Sequence, residues 1–192
     1  MTDTQLTIPR EALELWRFAD KVGDRLSLSY LEIGRKDGRA ISVATDGHQL
    51  GKYEWDAPGP DALWYLHYVN AKSLLQGTPA KSRNDSWSVE DGDEPIVRNA
   101  FTQAPLCSAE QLKEISDGCG FPGWHGILEY NQPEPAERFS VDLALLDNVR
   151  AWAKSCRLKP HVTVQLSGAL GPLSVTVDKC DQALFVIMPM SL

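Results

Sequence analysis

Asp46 and His48 stand two residues apart across a Gly47 turn, an acid and an imidazole of the types that move protons. No nucleophile motif stands beside them, so acid–base chemistry has nothing to activate. Cys107, Cys119 and His125 are of metal-ligating types, but no Cys-x-x-Cys spacing pairs them. Phosphate-loop and dinucleotide glycine fingerprints are absent. The expectation is a protein that is not an enzyme, with no cofactor and no metal.

The basic residues carry a different signal. Arg10, Arg17 and Lys21 are spaced seven and four, and Arg150, Lys154 and Arg157 four and three. On helices such spacing gathers charge on one side, as a surface tracking the phosphates of duplex DNA requires. Lys72, with Lys81 and Arg83 just beyond, adds a weaker third contribution. A surface of this kind positions DNA and reads no bases. Charged solvent faces are also what any amphipathic helix carries, and Glu11, Glu14, Asp20 and Asp147 dilute the stripes. The net charge of -7 opposes nucleic acid on average, so the distribution of the cations decides.

The elements that must position these residues follow one repeating pattern: a strand, a helix, then short strands. Leu6–Ile8 reads as a strand, with Pro9 suited to a first helical position and a helix over Arg10–Val22. The apolar spacing of Leu13, Trp16, Ala19 and Val22 supports that helix. Strands follow over Leu26–Gly34, Ala40–Thr45 and Gln49–Trp55, with turns at Lys36-Asp37-Gly38 and Asp46-Gly47. A second copy begins at the strand Leu63–Val69, and Asn70 caps a short helix through Gln76. Trp87–Glu90, Ile96–Ala100 and Phe101–Gln103 are its strands, and Ala109–Ile115 is helix-like. Asn131 to Glu137, with Pro133 and Pro135, reads as a linker. The third copy has a strand at Phe139–Val141 and a helix over Leu143–Lys154 with Leu143, Leu146, Val149 and Ala153 on one face. Its strands are His161–Leu166, Leu173–Val177 and Leu184–Met188. The pattern therefore divides the chain into residues 1–130, holding two units, and 131–192, holding one.

With 192 residues, 43% of them hydrophobic, the chain has ample material for a core. No apolar run approaches the roughly 20 residues that span a bilayer. Met1 to Glu14 lacks a basic-then-apolar leader pattern, and the four cysteines are scattered. A cytoplasmic protein with free thiols and no membrane association is expected.

Three segments together resemble the β-type sliding clamp of bacterial replication. They are Ala44-Thr45-Asp46-Gly47-His48-Gln49-Leu50, Phe121-Pro122-Gly123-Trp124 with Ile127-Leu128, and the terminal Phe185-Val186-Ile187-Met188-Pro189-Met190. Their order matches the middle domain, its exit segment and the chain end of that family. The resemblance implies an α+β DNA-clamp fold of repeated β-α-β-β(-β) units, three of them here. The family's chain has six units in three domains, and two copies make its ring. Here the first domain and half of the third are absent. The family usually has Arg where this chain has Gln49, and often Arg where it has Ser191.

The resemblance further implies an apolar pocket that accepts short peptides from DNA polymerase and other clamp-binding-motif proteins. Its wall would be Thr45, Gly47, His48, Gln49 and Leu50, then Pro122 and Ile127, then Val186, Met188, Pro189 and Met190. Methionines adapt to varied apolar side chains, and Gly47 lets another backbone approach. Each segment alone also reads as ordinary structure, since Asp-Gly turns are common between strands. The functions to weigh are a clamp-like processivity factor on duplex DNA and a regulatory decoy that keeps the pocket without encircling DNA. A third unit lacking an in-chain mate would expose Leu143, Leu146 and Val149 and a sheet edge, so a homo-oligomer is expected.

Overall fold

In the computed structural model, which describes residues 5–23, 25–79, 86–92, 94–129, 141–168 and 171–188, strand β1 (Thr7–Pro9) turns directly into helix α1 (Arg10–Leu13). The helix tightens into a 3₁₀ turn, Glu14–Phe18, and stops there rather than reaching Val22. Its terminator is Asp20, whose carboxylate accepts the backbone N–H groups of Val22, Gly23 and Arg25. A short polar side chain that offers the backbone such bonds competes with helix. Leu13 and Ala19 are therefore buried while Val22 is 81% exposed.

A second 3₁₀ turn, Leu26–Ser29, takes up the expected start of the next strand. Strands β2 (Tyr30–Lys36), β3 (Arg39–Thr45) and β4 (Gln49–Asp56) then run antiparallel. Asp37 and Gly38, both at positive φ, form the first hairpin, as that turn class demands. Strand β5 (Ala62–His67) leads into α2 (Tyr68–Gly77), capped by His67 Nδ1 on the N–H of Val69 rather than by Asn70. Strands β6 (Ser86–Glu90), β7 (Ile96–Arg98) and β8 (Gln103–Pro105) precede α3 (Ala109–Ile115), which carries a capping box of Ser108 and Gln111. A short helix, α4 (His125–Glu129), has no counterpart among the sequence expectations. Helix α5 (Leu143–Ser155) starts at the N-cap Asp142, and β9 (Val162–Leu166), β10 (Leu173–Val177) and β11 (Cys180–Ile187) complete the chain. Phe139 and Ser140, of the strand expected ahead of α5, and the linker before it lie outside the described residues; Val141 is not in a strand.

The strands form two antiparallel sheets, β1-β6-β7-β8 and β5-β2-β3-β4-β11-β10-β9. The strand ahead of each of the first two helices crosses over: β1 pairs with β6, and β5 with β2. The main core, with Phe18, Leu31, Trp87, Trp152 and Phe185, lies on the helix side of the larger sheet. Gly51 permits that packing, since a Cβ there would stand 2.8 Å from Phe18 and 2.9 Å from Leu15. A smaller cluster of Val43, Leu50, Trp124 and Val186 occupies the opposite face.

The expected open face of the third unit is corrected in part. Val149 is 1% exposed, because α5 turns it onto the first helical segment. Trp152 Nε1 donates to the carbonyl of Glu11 at 2.9 Å, and Arg17 donates to Ser155 Oγ at 2.9 Å. Leu146 packs partly against the core, and Leu143 alone of the three stays open, at 73% exposure. Among the described residues no helix is long and apolar enough to cross a membrane.

Candidate functional site

The loop between β3 and β4 is built by its own side chains. Asp46 accepts the N–H groups of His48 and Gln49 through one oxygen, both at 2.9 Å, and the Gln49 side-chain amide through the other at 2.8 Å. Thr45 Oγ1 accepts from the Gly47 N–H and donates to the Gln49 carbonyl. Gly47 sits at φ +90°, where a side chain would be strained. Asp46 is thus occupied in shaping the turn. Gln49 Oε1 also accepts from Asn148 on α5 at 3.2 Å, so the turn is tied to the helix face.

The other two segments come to the same place. Strand β11 pairs with β4 so that Val186 lies opposite Leu50, and the N–H of Met188 donates to the His48 carbonyl at 2.8 Å. Together they line a cleft of about 350 Å³ on the sheet face away from α1 and α5. Leu50 and Val186 are its buried floor, at 2% and 1% exposure, and Thr45 and Gln49 are buried beside them. Gly47, His48, Pro122, Ile127 and Met188 stand at its exposed rim. Pro189 and Met190 lie outside the described residues. Arg25, Leu28, Trp124 and Pro172 also line the cleft and are absent from the sequence expectation. Trp124 is fixed by donating Nε1 to Glu32 at 2.9 Å. Among these four, only Trp124 has a signal in the sequence, as a member of the Phe-Pro-Gly-Trp segment.

The basic residues are only partly assembled. Arg10 and Arg17 both bridge Glu14, at 3.2 and 3.0 Å, and that carboxylate is 4% exposed. Arg17, Lys21 and Lys72 gather round the ring of Trp16, at 4.8, 5.3 and 5.3 Å from its centroid. Burial pushes the Lys21 ammonium below its ordinary pKa, and the neighbouring Arg17 and Lys72 add to this against the pull of Asp46. On α5, Arg150 pairs with Asp147 at 3.0 Å, both side chains exposed. Lys154 is exposed, and so is Arg157, just past the helix end at φ +58°. Lys81 and Arg83 lie outside the described residues.

No family model matches the sequence, and a search of curated proteins finds no match. Comparison with solved structures is decisive on architecture. The DNA polymerase sliding clamp of Bacillus subtilis superposes with a TM-score of 0.66 at 9% identity, over 98% of this chain. The DnaN sliding clamp of Pseudomonas aeruginosa, solved bound to griselimycin, gives 0.64 at 14% identity over 99%. The DNA polymerase III β subunit of Thermotoga maritima gives 0.62 at 11% identity over 100%. The chain has the sliding-clamp fold. It spans 64–66% of the length of these clamps. At such identities the likeness is one of fold. The floor of the apolar cleft, Leu50 and Val186, belongs to the smaller cluster and not to the main core that the helices cover.

Proposed function

We propose that the chain is a clamp-like DNA replication factor, not an enzyme. In this reading it holds DNA polymerase or another clamp-binding-motif protein by a short peptide in the Leu50–Val186 cleft. The observation that carries it is convergence: three segments far apart in sequence supply floor and rim of one apolar cleft. Its size falls within the range of ligand pockets, about 300–1,000 Å³. A fluorescein-labelled peptide with Gln, Leu and Phe anchors is expected to bind with micromolar affinity, roughly -8 kcal/mol. Fluorescence polarization that fails to saturate at millimolar protein rules the reading out.

The same proposal places duplex DNA on the helix side, held through its phosphates alone. Replacing Arg150, Lys154 and Arg157 by alanine should lower the slope of log affinity against log salt by about 0.9 for each phosphate no longer neutralised. A full slope in that variant moves the DNA-binding surface elsewhere. One observation favours a second reading, a decoy that binds partner peptides without DNA. Glu14 pairs with both Arg10 and Arg17 and offsets one of their two charges, and Asp147 pairs with Arg150, within a chain of net charge -7. Absence of DNA association at low salt, with peptide binding intact, decides for the decoy.

A further inference from the structure

The Asp46 carboxylate sets the direction of a chain of side-chain amides that runs to α5. A carboxylate can only accept. One of its oxygens takes the N–H groups of His48 and Gln49, and the other takes the Gln49 side-chain N–H at 2.8 Å. Gln49 therefore turns its amide nitrogen to Asp46 and its carbonyl oxygen the other way. That oxygen meets Asn148 at 3.2 Å, and because a carbonyl can only accept, Asn148 must present Nδ2. Neither amide can turn over without setting two acceptors or two donors together.

The chain is largely withdrawn from water. Gln49 is 5% exposed and Asn148 is partly buried, so a partner lost at either contact leaves a polar atom poorly solvated. What the chain holds is the rim of the cleft. Asp46 N–H and Thr45 Oγ1 both donate to the Gln49 carbonyl, and the His48 carbonyl receives the Met188 N–H. Gly47, His48 and Met188 are the rim residues that this turn carries or anchors. Releasing the Gln49 side chain loosens the turn on which all three depend.

We infer, on the reading of the cleft as a peptide site, that Asn148 is a positioning residue for it, acting from α5 through Gln49 and Asp46. Asn148 is not among the residues that line the cleft, so an entering peptide feels it only through that chain. A helix outside the lining thereby has a part in setting the affinity of the lining.

The direction of the chain makes the test specific. In Asn148→Asp, carboxylates stand at both ends of Gln49, whose amide has a single donor end. Two acceptors then face each other whichever way that amide turns. In Asp46→Asn, the remaining side-chain oxygen keeps the two backbone N–H groups, and both amides can turn over together so that every contact regains a donor. Adding Asn148→Asp to that variant completes a chain of reversed direction. Asn148→Asp is thus expected to weaken binding of the fluorescein-labelled peptide about three- to tenfold in the wild-type chain, and under about twofold beside Asp46→Asn. Amide hydrogen exchange at His48 and Gln49, followed without peptide, should quicken in Asn148→Asp and return to the Asp46→Asn rate in the double variant. Asn148→Ala adds no charge, so weaker binding there excludes simple repulsion between two carboxylates. A wild-type chain that does not bind the peptide removes the peptide reading and the role of Asn148 with it. A wild type that binds, with Asn148→Asp equally costly in both backgrounds or harmless in both, overturns the role of Asn148 alone. Should Asn148→Asp fail to fold, Asn148→Ala decides, and an unchanged affinity in that folded variant overturns the inference.

Discussion

Replacing Leu50 and Met188 together by alanine is expected to weaken peptide binding by at least about 2 kcal/mol, roughly thirtyfold. Leu50 is the floor of the cleft, packed with Val43, Trp124 and Val186. Met188 is a rim residue, 42% exposed, whose backbone is pinned to the His48 carbonyl. Its thioether is therefore held over the cleft while remaining free to adapt to what enters. Removing both takes away the surface that an apolar anchor would bury. Leu50→Ala also costs about 2–5 kcal/mol of stability, as buried leucines do. The titration is made where dichroism shows the variant folded. Met188→Ala alone, at a half-exposed site, spares the fold and should still weaken binding. An unchanged polarization isotherm in the folded double variant would sink the assignment of the cleft.

Much of the architecture is readable because hydrophobic periodicity and turn residues agree locally. Positive φ at Asp37, Gly38 and Gly47 fixes the two turns, so β3 and β4 fall within a residue of expectation. Helix α3 and strand β10 match to the residue. Periodicity overextends the first helix because it cannot see Asp20 drawing three N–H groups into a turn. It starts β2 too early because Leu26–Ser29 has a strand's alternation but coils as a 3₁₀ turn.

The cleft is legible only through the resemblance, segment by segment. Arg25 and Leu28 reach it from the start of the 3₁₀ turn Leu26–Ser29, where the sequence pattern indicates a strand instead. Trp124 belongs to one of the resembling segments, but its place in the lining depends on Glu32, ninety-two residues earlier, accepting its N–H. The basic stripes show the converse failure. Spacing reports which residues share a helix side, but not that one buried carboxylate, Glu14, engages two of the arginines.

Trp152→Ala should destabilise the chain by about 3–5 kcal/mol, a large share of the roughly 5–15 kcal/mol that holds a typical domain. Trp152 is fully buried, edge-on to Phe185 at 5.0 Å and 6.2 Å from Tyr53. Its Nε1 donates to the Glu11 carbonyl, so one side chain joins α5 both to β11 and to the first helix. Alanine leaves a cavity and strips that carbonyl of its partner in the same step. Trp152→Phe retains most of the ring packing and loses the donor, which predicts a smaller cost of about 1–3 kcal/mol. Urea unfolding midpoints, with the slope compared between variants, measure both. The effect should also reach the cleft on the opposite face. Helix α5 holds Gln49 through Asn148, and β11 carries Val186 and leads into Met188. Loosening α5 therefore weakens peptide binding in Trp152→Ala more than in Trp152→Phe. A destabilisation under about 1 kcal/mol in the alanine variant would mean that α5 is not seated on the first helix, and the closed side of the third unit would be wrong with it.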